Sequence, residues 1–179
     1  AGETLQGRGP EDSRDLCLTR AGHMICAGGK ASDPAEGRKM AEEALQSGAA
    51  FETLKRFVQA QGGDVSVLSD HSLFRQARHS APCVAKTTGY VAAIEADRIG
   101  MASQHLGAGR KTKEDEIDLS AGLILHKKTG DPVKKGDILA VVYADDPEKL
   151  QLGLREAEGA FVISESRPGP RPLIHAVLS

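Results

Sequence analysis

The chain has 179 residues, 40% of them hydrophobic, with four Phe, two Tyr and no Trp, and 23 Lys and Arg against 25 Asp and Glu give a formal net charge of −2. Such a balance offers no basic face to nucleic acid, and so few rings offer no stacking platform for single strands. No apolar run approaches the roughly 20 residues that cross a bilayer, and the polar start AGETLQGRGPED lacks the apolar stretch of a signal peptide, so the expectation is a cytoplasmic protein without a membrane or nucleic-acid partner.

The first 63 residues read as helices with marked ends. Pro10, followed by Glu11, Asp12 and Asp15, suits a helix start, because proline sacrifices no needed donor there and acids favour the positive end of the helix dipole. Leu16, Leu18, Ala21, Met24 and Ile25 supply an apolar side until Gly28 and Gly29 end the helix. A second start has Asp33 as N-cap, Pro34 at the first helical position and Glu36 reaching back to the cap, and it predicts a helix to about Ser47. A third helix, 49–61, repeats Phe51, Leu54, Phe57 and Val58 at helical spacing and stops at Gly62-Gly63. Three such helices bury little surface alone, so they are expected to leave one apolar side uncovered. Residues 64–79 read as a connector.

From Pro82 the pattern changes to short β-branched runs between glycine turns, which predicts strands over 83–87, 90–95, 119–126 and 138–144. Helices are expected over 97–106 and 147–160, and the stretch ESRPGPRP at 165–172 leaves little scope for helix. The fold class is therefore α+β: a helical segment at 1–63, a connector at 64–79, and a β-rich domain at 80–179.

Few motifs carry chemistry. Gly28-Gly29-Lys30 lacks the earlier Gly and the following Ser or Thr of a phosphate loop and follows a helix instead of a strand, so it reads as a helix cap. The six histidines never occur at zinc-ligand spacing, and no GxSxG is present, so no catalytic, cofactor-binding or metal-ligating residue is assigned. Cys17 and Cys26 would lie about 13.5 Å apart on opposite faces of one helix, too far to pair; with Cys83 they are expected to be buried, reduced thiols. Met24, Met40 and Met101 read as core filler. Gly107, Gly109, Arg110 and Lys111 follow a helix, and two glycines with Arg110 behind them allow close backbone approach plus a charge-assisted donor. They form the candidate contact for domain closure, beside the plainer reading of a tight turn.

The phrase Thr129-Gly130-Asp131-Pro132-Val133-Lys134-Lys135-Gly136-Asp137-Ile138-Leu139 holds two Gly-Asp turns, each opening a short strand, with Val133 and Ile138/Leu139 expected to point inward. It resembles the biotinyl and lipoyl carrier domains in its β-architecture, but no lysine in a Met-Lys-Met or Asp-Lys-Ala context lies in 87–126.

Taken together, GRGPED at 7–12, GGKA at 28–31, AQGGD at 60–64, Gly89-Tyr90-Val91, LGAGR at 106–110, Lys113-Glu114-Asp115, Ile117-Asp118 and GLILHKK at 122–128 resemble the C-terminal part of a pyrimidine-nucleoside phosphorylase of the thymidine phosphorylase family. The resemblance implies an intact, homodimeric, two-lobed enzyme that cleaves uridine or thymidine with phosphate as co-substrate, giving free base and pentose 1-phosphate. It further implies that 1–63 ends the family's large α/β domain and that 80–179 is its C-terminal α/β-hammerhead, barrel-sandwich-like domain. The family's base-binding and phosphate-binding residues would lie upstream, in a missing N-terminal part that is this chain's partner, so the chain alone would be inactive. The runner-up reading is a stand-alone, non-catalytic hammerhead module for protein contact.

Overall fold

The computed structural model describes residues 2–110, 112–170 and 172–177. It forms two compact units, one built from the first 73 residues with the described tail, the other from Phe74–Pro170. The tail beyond 170 thus groups with the helices, where the sequence reading set it with the β-rich domain.

The first unit contains α1 (Gly2–Leu5), α2 (Glu11–Ala27), α3 (Pro34–Gln46) and α4 (Ala49–Ala60), then two 3-10 turns at Val65–Leu68 and His71–Leu73. Pro10 precedes α2, and Gly28 ends it, with Gly28 N–H donating to Met24 O and Lys30 N–H to Ile25 O. Asp33 caps α3 as expected, its Oδ1 accepting from Ala35 N and Glu36 N. Glu36, however, reaches one residue past the cap, accepting from Ser32 N and Ser32 Oγ. The helices α2 and α3 meet at Gly22 and Gly37, where backbone lies so close that a Cβ on Gly22 would fall 2.8 Å from Arg38 N.

Little of this unit is buried: among its described residues only Leu18, Gly22 and Gly37 are. The amphipathic α4 has no buried residue and leaves Phe57 62% exposed. Met24 and Met40 are exposed, as is Met101 of the second unit, so none of the methionines fills a core. Cys17 is exposed too, Cys26 is half-buried, and only Cys83 is buried.

The second unit carries β1 (His79–Val84), β2 (Gly89–Ile94), α5 (Ala96–Ser103), a π-turn at Gln104–Ala108, β3 (Gly122–Leu125), β4 (Pro132–Val133), β5 (Ile138–Ala144), α6 (Pro147–Ala160) and β6 (Phe161–Ser164). The strands form two antiparallel three-stranded sheets, ordered β1-β5-β3 and β4-β2-β6. In the central strand β5, Ala140, Val142 and Ala144 alternate inward onto α6, and with Cys83, Val91, Leu106 and Leu150 they form one core. The strand predicted at 83–87 sits four residues earlier, since its pairing runs from His79↔Ala144, and the strand predicted at 119–126 shortens to Gly122–Leu125.

Candidate functional site

The two Gly-Asp turns are built alike, and each extends the hydrogen bonding of its own sheet. Gly130 (φ +94°) and Gly136 (φ +95°) take a backbone conformation that side chains disfavour. The carboxylates then close each turn: Asp131 Oδ2 accepts from Lys128 N at 2.7 Å, and Asp137 Oδ2 accepts from Lys134 N at 2.9 Å. The first turn clamps β2 and the second clamps the residue that follows β1. Gly130 N donates to Val91 O while Val91 N donates to Asp131 O; Gly136 N donates to Ala85 O while Ala85 N donates to Asp137 O. Val133 and Leu139 are buried, but Ile138, which shares the parity of Ala140, Val142 and Ala144, is 45% exposed, because the register shifts between the Cys83–Ala140 and Val84–Ile138 pairs and breaks the alternation at Leu139.

The predicted helix over 97–106 ends early, at Ser103, and its last turn widens into the π-turn. The cause is Gly107, whose φ of +111° breaks the helical run. Leu106, 1% exposed, plugs this turn into the core against Gly153 of α6. Gly107 O accepts from Asp118 N at 2.9 Å, and Gln104 Nε2 donates to Arg110 O at 2.8 Å, so both ends of the loop are pinned through backbone groups. Gly109 is extended (φ −137°, ψ 165°). Arg110 is exposed, its main chain held while its guanidinium faces solvent. Gly107, Gly109 and Arg110 therefore come together in one anchored loop, and the fourth candidate, Lys111, lies outside the described residues.

Behind the loop lies a charge cluster that the sequence reading did not single out. Asp118 Oδ1 accepts from Ser120 Oγ at 2.7 Å and Ser120 N at 2.9 Å, and Arg75 Nη1 stands 3.7 Å away. Arg75 also bonds Asp145 through Nη2, while Arg78 N donates to Asp145 Oδ1 at 2.9 Å. The Ser120 hydroxyl and N–H hold the Asp118 carboxyl below its usual range, with Arg75 and Lys149 adding to the effect. The Arg78 N–H does the same for Asp145, helped by Arg75. Asp118-x-Ser120 is a local turn signal that sequence can show; the pairing of Arg75 with residues 43 and 70 positions later is not. Among the described residues, no three His, Cys, Asp or Glu side chains gather to hold a metal ion, and no helix is long and apolar enough to cross a membrane.

Residues 90–164, which hold both clamping turns, the anchored loop and most of the core, match the family model described as "Pyrimidine nucleoside phosphorylase C-terminal domain". Similarity extends well outside that span. A pyrimidine-nucleoside phosphorylase of Bacillus subtilis is 40% identical over 177 residues, covering 99% of this chain and 40% of that protein. The chain resembles the C-terminal part of pyrimidine-nucleoside phosphorylases. The Staphylococcus haemolyticus member is 38% identical over the same 99% of the chain, again 40% of its own length. The Geobacillus stearothermophilus member is 49% identical over 80% of the chain and 33% of its length. The chain thus spans only about two fifths of these curated relatives, and what it aligns with is their C-terminal part.

Proposed function

We propose that this chain is the C-terminal part of an enzyme that cleaves uridine or thymidine with phosphate. In that reaction the glycosidic C–N bond breaks, a bond from the sugar's anomeric carbon to a phosphate oxygen forms, and the base leaves as the free pyrimidine after taking up a proton. The observation that carries the reading is the end-to-end likeness to proteins named pyrimidine-nucleoside phosphorylase, at 38–40% identity over 99% of the chain. The α+β unit with its paired Gly-Asp clamps is read as the family's hammerhead domain, and the helical unit as the end of the large α/β domain. The base-binding and phosphate-binding groups are assigned to the preceding part of the enzyme, which makes the chain alone inactive and makes that part, in a homodimer, its partner.

Within that enzyme, Gly107, Gly109, Arg110 and Lys111 are read as a contact for the lobe that closes over substrate. A loop fixed by Leu106, Gln104 and Asp118 yet presenting an exposed Arg110 is suited to a charge-assisted contact made only on closure. The test is a chimera carrying the unmatched N-terminal portion of the Bacillus subtilis enzyme ahead of this chain. Phosphate-dependent release of uracil from uridine is the expected result, and a folded chimera without it would overturn the assignment.

A further inference from the structure

Strand β3 ends its sheet, and one row of its backbone groups has no strand beyond it. His126 N–H donates to Leu139 O at 2.8 Å, continuing the Leu125↔Ala140 register. Bonded pairs alternate along an antiparallel ladder, so Gly122 and Ile124 turn their N–H and C=O groups to β5, whereas Leu123 and Leu125 turn theirs to the open edge. Among the described residues nothing hydrogen-bonds those edge groups. The opposite edge of the same sheet is blunted. There Ala85 N–H donates to Asp137 O, so the alternation puts Pro82 of β1 at an outward position, and proline has no N–H to offer. Strand β3 holds neither a proline nor a charge, and exposed apolar side chains crowd it: Ile117, Leu119 (91% exposed), Ile124 (55% exposed) and Leu125. An edge left bare in this way is a template for another strand.

We infer that β3 pairs antiparallel with β3 of a second copy of this chain, across a two-fold axis at Ile124. Charge names the occupant. Residues 114–118, Glu-Asp-Glu-Ile-Asp, hold no base, and residues 126–128, His-Lys-Lys, hold no acid, so the strand runs from an acidic flank to a basic one. Antiparallel pairing of two such strands lays the basic flank of each on the acidic flank of the other, and the two-fold axis repeats the match at both ends. A parallel pair would set like charges together. With Ile124 on the axis, Leu123 N–H of one copy donates to Leu125 O of the other and Leu125 N–H donates to Leu123 O, which satisfies the open edge groups of both and brings the two Ile124 side chains together. The contact uses only residues of this chain and does not depend on the family reading. A four-residue strand makes a small interface, so the association is weak, with a dissociation constant between about 10 μM and 1 mM.

The test is analytical ultracentrifugation of the full chain from about 1 μM to 1 mM, the range over which a contact of this size assembles. The expected result is a mass that rises from one chain toward two and rises less as salt is added, since the flanking charges are exposed. Leu125→Pro removes an outward N–H without touching the bonds to β5, and with two donors lost per dimer it is expected to weaken association at least about tenfold. Two further variants keep the test decisive if that one does not fold. Glu114→Lys with Glu116→Lys leaves both flanks of a copy basic, and Lys127→Glu with Lys128→Glu leaves both acidic. Each is expected to be monomeric by itself, and an equimolar mixture of the two is expected to form a heterodimer. A wild-type chain that stays monomeric throughout would overturn the inference and leave the edge to a strand from another source. A dimer that these changes do not weaken, or a mixture no more associated than its components, would overturn it by placing the contact elsewhere.

Discussion

Leu106 fills the space that Gly153 leaves by having no side chain: a Cβ on Gly153 would fall 2.6 Å from Leu106 Cδ2 and 3.1 Å from Ala102 O. This contact ties the π-turn, and with it the Gly107–Arg110 loop, to α6. Gly153→Ala gains up to about 1 kcal/mol of helix propensity but overpacks the site, at about 1–3 kcal/mol. The expected net effect in urea unfolding is a loss of about 1 kcal/mol. Gly100 in α5 has nothing within 4 Å of its Cβ position, so Gly100→Ala is expected to stabilise the chain by up to about 1 kcal/mol. A stabilised Gly153→Ala would show that Leu106 is not held as described.

Arg75 and Arg78 tie the stretch before β1 to Asp118 and Asp145, and the sign of the resulting pH dependence is fixed. Both carboxyls are held below the ordinary range in the folded state. Their contribution is therefore fully present above the unfolded aspartate value of about 3.9 and is lost as pH falls through the depressed folded values. Asp145→Asn is expected to lower stability at neutral pH and to flatten the fall in stability below about pH 4. Urea midpoints measured on both sides of that pH read it directly. An unchanged acid slope in the variant would assign the pH dependence to other groups.

The elements that sequence read well are those whose signals are local. The Asp33-Pro34 start of α3, the glycine stop of α2, the span of β5 and the span of α6 all follow from caps and periodicity within a few residues. What escaped depended on distant partners. The strand β6 continues directly from α6 and is a strand because it pairs with β2 some 70 residues earlier. Met24 looks like core by its spacing and lies 73% exposed, because periodicity shows which side is apolar and not whether anything covers it. Within the candidate site, Gly107 and Gly109 were legible as breakers, while the anchors Gln104, Asp118 and Gly153 required the fold.

The thiols are expected to separate sharply in reactivity. Burial pushes the Cys83 thiol up to about 11, leaving on the order of one part in 10⁴ as thiolate at neutral pH, and the side chain is fully enclosed. Cys83 should therefore react with a thiol reagent only after denaturation, whereas Cys17 reacts in the native chain. Native-state labelling of Cys83 at a rate like that of Cys17 would contradict the core described for the second unit.

Arg110→Ala tests the loop's assignment within the intact enzyme. Arg110 is exposed and its guanidinium has no partner among the described residues, so stability should stay within about 0.5 kcal/mol. In the active chimera, turnover should fall because a contact made on closure is gone. Unchanged kinetics would leave the loop as a tight turn, and a large stability loss would mean that Arg110 holds its own domain together.

The central claim is that this chain is the C-terminal part of a pyrimidine-nucleoside phosphorylase whose catalytic groups reside in the preceding part, and one assay reaches it most directly. The purified chain is incubated with uridine or thymidine and inorganic phosphate, and free base is followed by chromatography. No phosphate-dependent release of uracil or thymine is the expected result, since the groups that would hold phosphate and stabilise the departing base are assigned elsewhere. Release of base that copurifies with the chain and requires phosphate would place the catalytic residues within these 179 residues and contradict the account.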